Sequence, residues 1–383
     1  MITSGRRKWL TVAASLVLVG GLAACSSDSG SDSASEADTS TTETESSAAE
    51  ATESDSGASE EAESGGGEYV IGVSNTLVGN GWREQMICSI KAQSLASGQV
   101  SKVIVANENG GPTEQIGQLR DLISQGVDAI IVNPTDSEQL NPIIDEAAAQ
   151  GIVVVAVDSA VSSENAYVAT NDQEAYGYLG AKALFEAMGG SGNVVEMRGI
   201  EGVPADTDRH NGFMRALEEY PDVTIVAETF TGWDFTQGTQ QAVDLINSGQ
   251  QIDGIWTSGI DYPVVSAYTD NGDTPVPVVG ADNNEFINLT ATLADEGFQG
   301  VVVSNPAVIG AVGTTVALEA LNGGSPDRMT MLTPSVWTAA NNSDELAAYY
   351  FADQPPTYSS NIQIDGYTTY TPEQLFDCKG PGE

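Results

Sequence analysis

Histidine is almost missing from this chain, with His210 the only one in 383 residues. Cysteine is nearly as scarce: Cys25, Cys88 and Cys378 are far apart and form no CxxC pair. A zinc site and a Ser-His-Asp triad both draw on these residue types, so both are poorly supplied, and no metal or other cofactor is expected. Basic residues are also few, with 13 Lys and Arg against 54 Asp and Glu and a formal net charge of −41. Nucleic-acid binding needs clustered Lys and Arg to neutralise phosphates, so no nucleic acid is expected as a partner. The acidity aids solubility but names no ligand, and a general compositional bias accounts for it as well as any function does.

Long apolar runs are missing too, except at 9–22, where Arg6, Arg7 and Lys8 precede the run and small residues end it. Residues 1–24 therefore read as a secretory signal. Leu22-Ala23-Ala24-Cys25 resembles the lipobox of bacterial lipoproteins, in which the cysteine thiol is linked to diacylglycerol and the peptide bond before it is cut. An uncleaved membrane anchor and cleavage without lipidation are the competing readings. Cys25 directly after two alanines favours lipidation. Residues 26–68 contain thirteen acidic side chains, no basic one and no large apolar one. Such a stretch cannot bury enough apolar surface to offset its ordering entropy, so 25–68 is expected to be a lipidated Cys followed by a disordered, self-repelling tether.

Residues 69–383 suffice for two domains with separate cores. Short apolar runs at 69–74, 102–106, 129–132 and 152–157 are separated by helix-sized stretches, and a shorter run follows at 166–169. The alternation restarts at 193–197, 223–227, 254–257, 276–279 and 300–304, with helices expected to begin near Ala205, Phe235, Tyr262 and Asn284. Runs this apolar suit strands covered on both faces, and their alternation with helices indicates βαβ units. The expected fold is α/β: two doubly wound parallel-sheet lobes. A further helical pattern at 306–321 implies that the chain crosses between them more than once. The tail from 325 has weaker periodicity. In an oxidising exterior Cys88 and Cys378 can be joined, pinning that tail to an early helix.

Ligands of open parallel sheets sit at the carboxyl ends of strands, so the residues directly after each apolar run carry the information. They include Ser74, Asn75, Asn133, Asp158, Asn171, Asp172, Arg198, Gly259, Asp261, Asp282 and Asn305. This set looks like a hydrogen-bonding cage rather than a catalytic centre. After the first strand, Gly79-Asn80-Gly81-Trp82-Arg83 opens a helix. Trp82 there is either an aromatic face for a sugar or a core-facing cap, and Arg83 offers a fork of donors. Arg209 begins another helix and either serves the site or pairs with Asp206 or Asp208 at the surface. Trp233 adds an aromatic at a strand-to-helix junction, whereas Trp256, inside an apolar run, reads as core.

The ordered set Gly79-Asn80-Gly81-Trp82-Arg83, Val132-Asn133-Pro134-Thr135-Asp136, Val157-Asp158, Thr170-Asn171-Asp172, Asp208-Arg209-His210-Asn211-Gly212-Phe213 and Val279-Gly280-Ala281-Asp282 resembles the ribose- and galactofuranose-binding branch of periplasmic sugar-binding proteins. The resemblance covers roughly residues 69–325. It implies a periplasmic binding protein type I fold with lobes joined by a multi-strand hinge of three crossovers. The N-terminal lobe would then comprise 69–170 plus about 305–330 and the C-terminal lobe 171–304, with a hinge strand and tail at 331–383. It also implies Trp82 and Trp233 on the two sugar faces, with Arg83, Asp158, Arg209 and Asp282 on hydroxyls and an amide at Asn305. Ser74, Asn80 and Asn171 complete the expected ligand set. Two departures bear on the ligand: Asp158 is followed by Ser159 where the family often has Arg, and Ser258-Gly259-Ile260-Asp261 replaces an amide-acid pair.

The function expected is a monomeric, non-enzymatic substrate-binding lipoprotein outside the cell membrane, held there by its lipid anchor. It would capture a small-molecule sugar or polyol by lobe closure and pass it to the membrane subunits of an ABC importer. Two alternatives belong to other classes. One is a ligand presenter to a sensory receptor. The other is an exported hydrolase using paired carboxylates such as Asp158 and Asp282.

Overall fold

Runs of Val, Ile and Ala become strands here because helices cover both faces of each sheet. The computed structural model describes residues 68–383; the expected signal at 1–24, Cys25 and the acidic stretch through residue 67 lie outside the described residues. The first half contains β1 Tyr69–Asn75, α1 Gly81–Ser97, β2 Val100–Asn107, α2 Pro112–Ser124, β3 Ala129–Val132, α3 Asn141–Ala149, β4 Val153–Val157 and β5 Ala166–Asn171. The second contains α4 Gln173–Ala187, β6 Ser191–Arg198, α5 Pro204–Leu217, β7 Asp222–Phe230, α6 Phe235–Asn247, β8 Gly254–Thr257, α7 Tyr262–Asp270, β9 Val278–Ala281, α8 Asn284–Thr292 and β10 Gly300–Val303. Then come α9 Ile309–Leu321, β11 Met329–Leu332, β12 Val336–Trp337, α10 Ser343–Tyr349 and α11 Pro372–Asp377.

The strands form two six-stranded sheets, ordered β2-β1-β3-β4-β5-β11 in lobe 1 and β7-β6-β8-β9-β10-β12 in lobe 2. Their pairings are parallel except that of β12 with β10. The expected pair of doubly wound α/β lobes is thus observed. In each lobe the order reverses beside the first strand, at β1/β3 and at β6/β8, and a crevice opens at the carboxyl ends there.

One face of the lobe 1 sheet packs against α1 and α9 through Met86, Ile90, Ile309, Val312 and Val316. The other packs against α2 and α3 through Leu119, Leu122, Ile143 and Ile144. Each such side chain, fully buried, contributes roughly 1.5–3 kcal/mol. In lobe 2, α4 and α5 lie unusually close. A Cβ on Gly177 would overlap the Arg209 carbonyl, and one on Gly212 would overlap the Glu174 carbonyl, so glycine at both positions sets the depth at which α5 sits.

The tail divides between the lobes. β11 extends the lobe 1 sheet as a parallel edge, β12 extends the lobe 2 sheet, and α10 packs on α8. The chain then returns to lobe 1, where α11 lies on α1 and Cys378 is disulfide-bonded to Cys88 with Cα atoms 4.5 Å apart. The connection between lobes is therefore made four times, not the three that the resemblance implies. Among the described residues no helix is long and apolar enough to cross a membrane.

Candidate functional site

The β1–α1 turn builds the lobe 1 wall. Gly79 turns the chain at a φ of 83°, in the left-handed region. Asn80 then caps α1, its Oδ1 accepting from the Arg83 backbone N–H at 3.0 Å. Its Nδ2 crosses the cleft to donate to the Trp233 carbonyl at 3.0 Å. Arg83 is buried, with Nη1 on Asn75 Oδ1 at 3.2 Å. Trp82 packs its ring against the lobe 1 core while Nε1 donates to the Asn305 carbonyl at 2.6 Å, so it lines the cleft and joins the core at once. At the end of β4, Asp158 takes a φ of 66°, which Asp tolerates better than most residues. Gln173 Nε2, from the start of α4, donates to its Oδ1 at 2.9 Å.

Lobe 2 supplies the facing wall. Arg209 is only 4% exposed, which removes it from the surface-pair reading. Its Nε donates to Gln173 Oε1 at 2.8 Å and its Nη1 to Ser258 Oγ at 3.1 Å, with the guanidinium 4.2 Å from the Tyr176 ring centroid. Asp206 pairs instead with Arg198 at 2.7 Å. The Trp233 indole Nε1 donates to the Ser258 carbonyl at 2.8 Å, and the ring lies on Gly199, where any Cβ would overlap it. Trp256 is fully buried among lobe 2 aromatics, as a core residue should be.

Asn80, Trp82, Arg83, Asp158, Arg209, Trp233 and Asn305 converge on one cavity. Leu77, Phe235, Ser258, Gly259, Ala281 and Asn283 complete its lining. Leu77 also packs against Val203, Ala205 and Trp233 of the opposite lobe, so the lips of the cleft touch. Burial is the main influence on the Arg83 guanidinium and lowers it to about 10; Asp158 opposes the shift and Arg209 adds to it. Arg83 stays cationic near neutral pH. The cavity thus holds two guanidinium groups, a carboxylate, amides and two indoles, and no lining residue is a histidine or cysteine.

Three expected ligand residues are not brought to the cavity. Ser74 is fully buried beneath it, donating to Gln118 Oε1 at 2.7 Å. Asn171 donates to Asn305 Oδ1 at 2.7 Å inside the hinge. Asp282 accepts the Asn305 backbone N–H on Oδ1 at 2.8 Å and the Ser360 hydroxyl on Oδ2, so both oxygens are already engaged. Burial raises its pKa to about 6, against those hydrogen bonds. Asn283, the next residue, lines the cavity instead, and its Nδ2 is held by Asp261 Oδ2 at 2.8 Å.

The single histidine sits elsewhere, on α5, with Nδ1 on Glu196 Oε1 at 2.9 Å. Glu196, His210 and Glu228 could together offer three metal-ligating atoms. Arg198 already pairs with Glu228 at 3.0 Å, so the cluster carries a cation of its own.

Two doubly wound sheets that present strand ends from both lobes to one closed cavity define a two-lobed, ligand-enclosing binding protein. The periplasmic binding protein domain family matches residues 71–325, and the chain belongs to it. The ribose import binding protein of Bacillus subtilis is 26% identical over 259 residues, 67% of this chain and 83% of that one. The xylitol-binding protein of Mycolicibacterium smegmatis is 32% identical over 215 residues, 55% of this chain and 60% of that one. An ABC transporter solute binding protein from Thermobispora bispora superposes with a TM-score of 0.70 at 25% identity, over 78% of this chain and 92% of that one.

Proposed function

We propose that this protein captures a small polyhydroxylated ligand, a monosaccharide or polyol, between its lobes and delivers it to the membrane subunits of an ABC importer. The observation that carries the reading is the convergence of Arg83, Asp158 and Arg209 with the Trp82 and Trp233 indoles on one closed cavity. Guanidinium and carboxylate groups bond vicinal hydroxyls, and indoles cover the C–H faces of a ring. No group in the cavity is arranged as a nucleophile with its base, so binding needs no chemistry on the ligand. The ribose and xylitol relatives support the ligand class. Cys25 would anchor the chain outside the membrane as a lipoprotein, and the protein would act as a monomer. Replacing Cys25 by Ser should release it from the membrane fraction.

A thermal-shift screen of pentoses, hexoses and polyols tests the reading. A ligand at 100 times its Kd stabilises by about 2.7 kcal/mol, a readily measured rise in Tm. Arg209→Ala should abolish the shift. If amino acids raise the Tm and no polyhydroxylated compound does, the ligand class is wrong; if glycosides are turned over, the binding-only reading is wrong.

A further inference from the structure

The tail segment 356–361 runs behind the cleft, against helix starts from both lobes. Its Tyr358 and Pro356 carbonyls accept the backbone N–H groups of Asn284 and Glu285 at 2.7 and 3.1 Å, donors that a helix leaves unpaired at its first turn. On the lobe 1 side, Gln85 of α1 clasps Ser359 twice: its Nε2 donates to the carbonyl at 3.0 Å and its Oε1 accepts the N–H at 2.6 Å. Ser359 Oγ accepts the Ala307 N–H at 2.8 Å. The next residue, Ser360, is bound to lobe 2, its N–H donating to the Asp282 carbonyl at 2.8 Å and its hydroxyl to the Asp282 carboxylate. Adjacent residues of one extended segment are thus fastened to opposite lobes. The rest of the tail is anchored by the Cys88–Cys378 disulfide and by Phe351 against Phe376.

Asp282 passes this contact forward. Its other oxygen holds the Asn305 N–H, and Asn305 lines the cavity while accepting Trp82 Nε1 on its carbonyl. We propose that residues 356–361 form a hinge strap, in which Ser359 and Ser360 are positioning residues that set Asp282 and Asn305 behind the ligand and restrain the lobes from opening. Rotation of one lobe against the other shears Gln85–Ser359 from Ser360–Asp282, and one peptide unit offers no slack to absorb it. The strap deepens the capture reading, since it rests on lobes that move about a hinge.

Hydrogen exchange on the full chain without added ligand tests it, so a failed strap leaves the binding reading standing. In Ser360→Ala, backbone amides at the lips, 77–79, 200–203 and 205, should exchange about tenfold faster, while those of β3 and β8 keep their protection. Those lip segments do not touch Ser360, so a purely local structural role would leave them unmoved. Unchanged lip exchange overturns the proposal. If Ser360→Ala also exposes β3 and β8, the measurement passes to Gln85→Ala, which removes both hydrogen bonds of the lobe 1 clasp on Ser359 and leaves Ser360 on Asp282. Faster lip exchange there supports the strap, and unchanged lips reject it.

Discussion

The two sheets share one strand order, yet the lobes around them are filled and charged differently. Lobe 1 packs Ile, Val, Leu and Ala on both faces, with Tyr69, Trp82 and Tyr167 only at its margins. Lobe 2 buries Tyr176, Phe185, Phe213 and Trp256 on one face and Phe286, Phe298 and Trp337 on the other. Phe213 stands edge-to-face with both Phe185 and Trp256, at 5.6 Å in each case, and Tyr176 is 6.2 Å from Trp256. The row ends under Arg209. A site arginine in lobe 2 is therefore seated on an aromatic stack, whereas Arg83 of lobe 1 is bonded to Asn75, with only the single Trp82 ring near it, its centroid 5.9 Å away. The same topology tolerates both solutions because it fixes strand ends, not what lies beneath them.

The largest test of this contrast is Phe213→Ala, which should destabilise by about 3–5 kcal/mol in denaturant unfolding, against about 0.5–1.5 kcal/mol for Ile131→Val in lobe 1. Arg209 lies on the same helix, so ligand affinity should fall with Phe213→Ala and hold with Ile131→Val. Equal costs would mean that the aromatic stack does not organise lobe 2.

Buried carboxylates separate the lobes in a second way, although Glu219 and Asp253 of lobe 2 are lowered by hydrogen bonds from Tyr178 and Gln251. Burial raises Glu196 and Asp261 to about 7 and Asp282 to about 6, all in lobe 2. In lobe 1 the shifted carboxylates, Glu114, Asp136 and Asp145, are lowered by hydrogen bonds from Gly111, Gln139 and Ser163. The buried lobe 2 groups keep a proton in the folded protein where the unfolded chain has lost it. Their contribution is complete below about pH 4 and disappears as pH rises through 6 to 7. The lobe 1 groups act in the opposite sense, losing their contribution as pH falls through their lowered pKa values. Stability should rise as pH is lowered from about 8 to about 5, then fall in stronger acid. Relief of general acidic repulsion has the same sign, so the decisive comparison is Asp261→Asn, which should flatten the upper limb. An unaltered slope would place the effect outside Asp261.

How much of this was legible in the sequence follows from which forces act locally. β3 and β8 match their apolar runs residue for residue, because a covered strand needs apolar side chains at every position and polar residues at its ends. The candidate site was legible in part: Asp282 missed by one residue, while for Ser74 and Asn171 no adjacent residue lines the cavity. Reading the positions after each strand identified the right level of the sheet, but neighbouring residues in an extended chain point to opposite sides, which no run of apolar residues reveals. Hence Asp282 was expected in the cavity and Asn283 lines it, and Ser74 was expected there and lies below. A hinge strand was expected within 331–383, but the contacts that fasten residues 356–361 were not legible. Gln85 and Ser359 are 274 positions apart, and their pairing has no periodicity to announce it.

The smallest expected effect isolates the aromatic contribution to Arg209. Tyr176 is fully buried, and its hydroxyl has no hydrogen-bond partner among the described residues. An unsatisfied buried polar group is a cost, while the ring face beneath the guanidinium is a gain. Tyr176→Phe removes the first and keeps the second, so it should stabilise by about 1 kcal/mol and leave ligand affinity within twofold. Tyr176→Leu removes both and should weaken binding by several-fold, in line with a cation–π contribution of about 0.5–2 kcal/mol. If Phe and Leu bind ligand equally well, Arg209 is held by Gln173 and Ser258 alone, and the lobe 2 stack serves stability without serving the site.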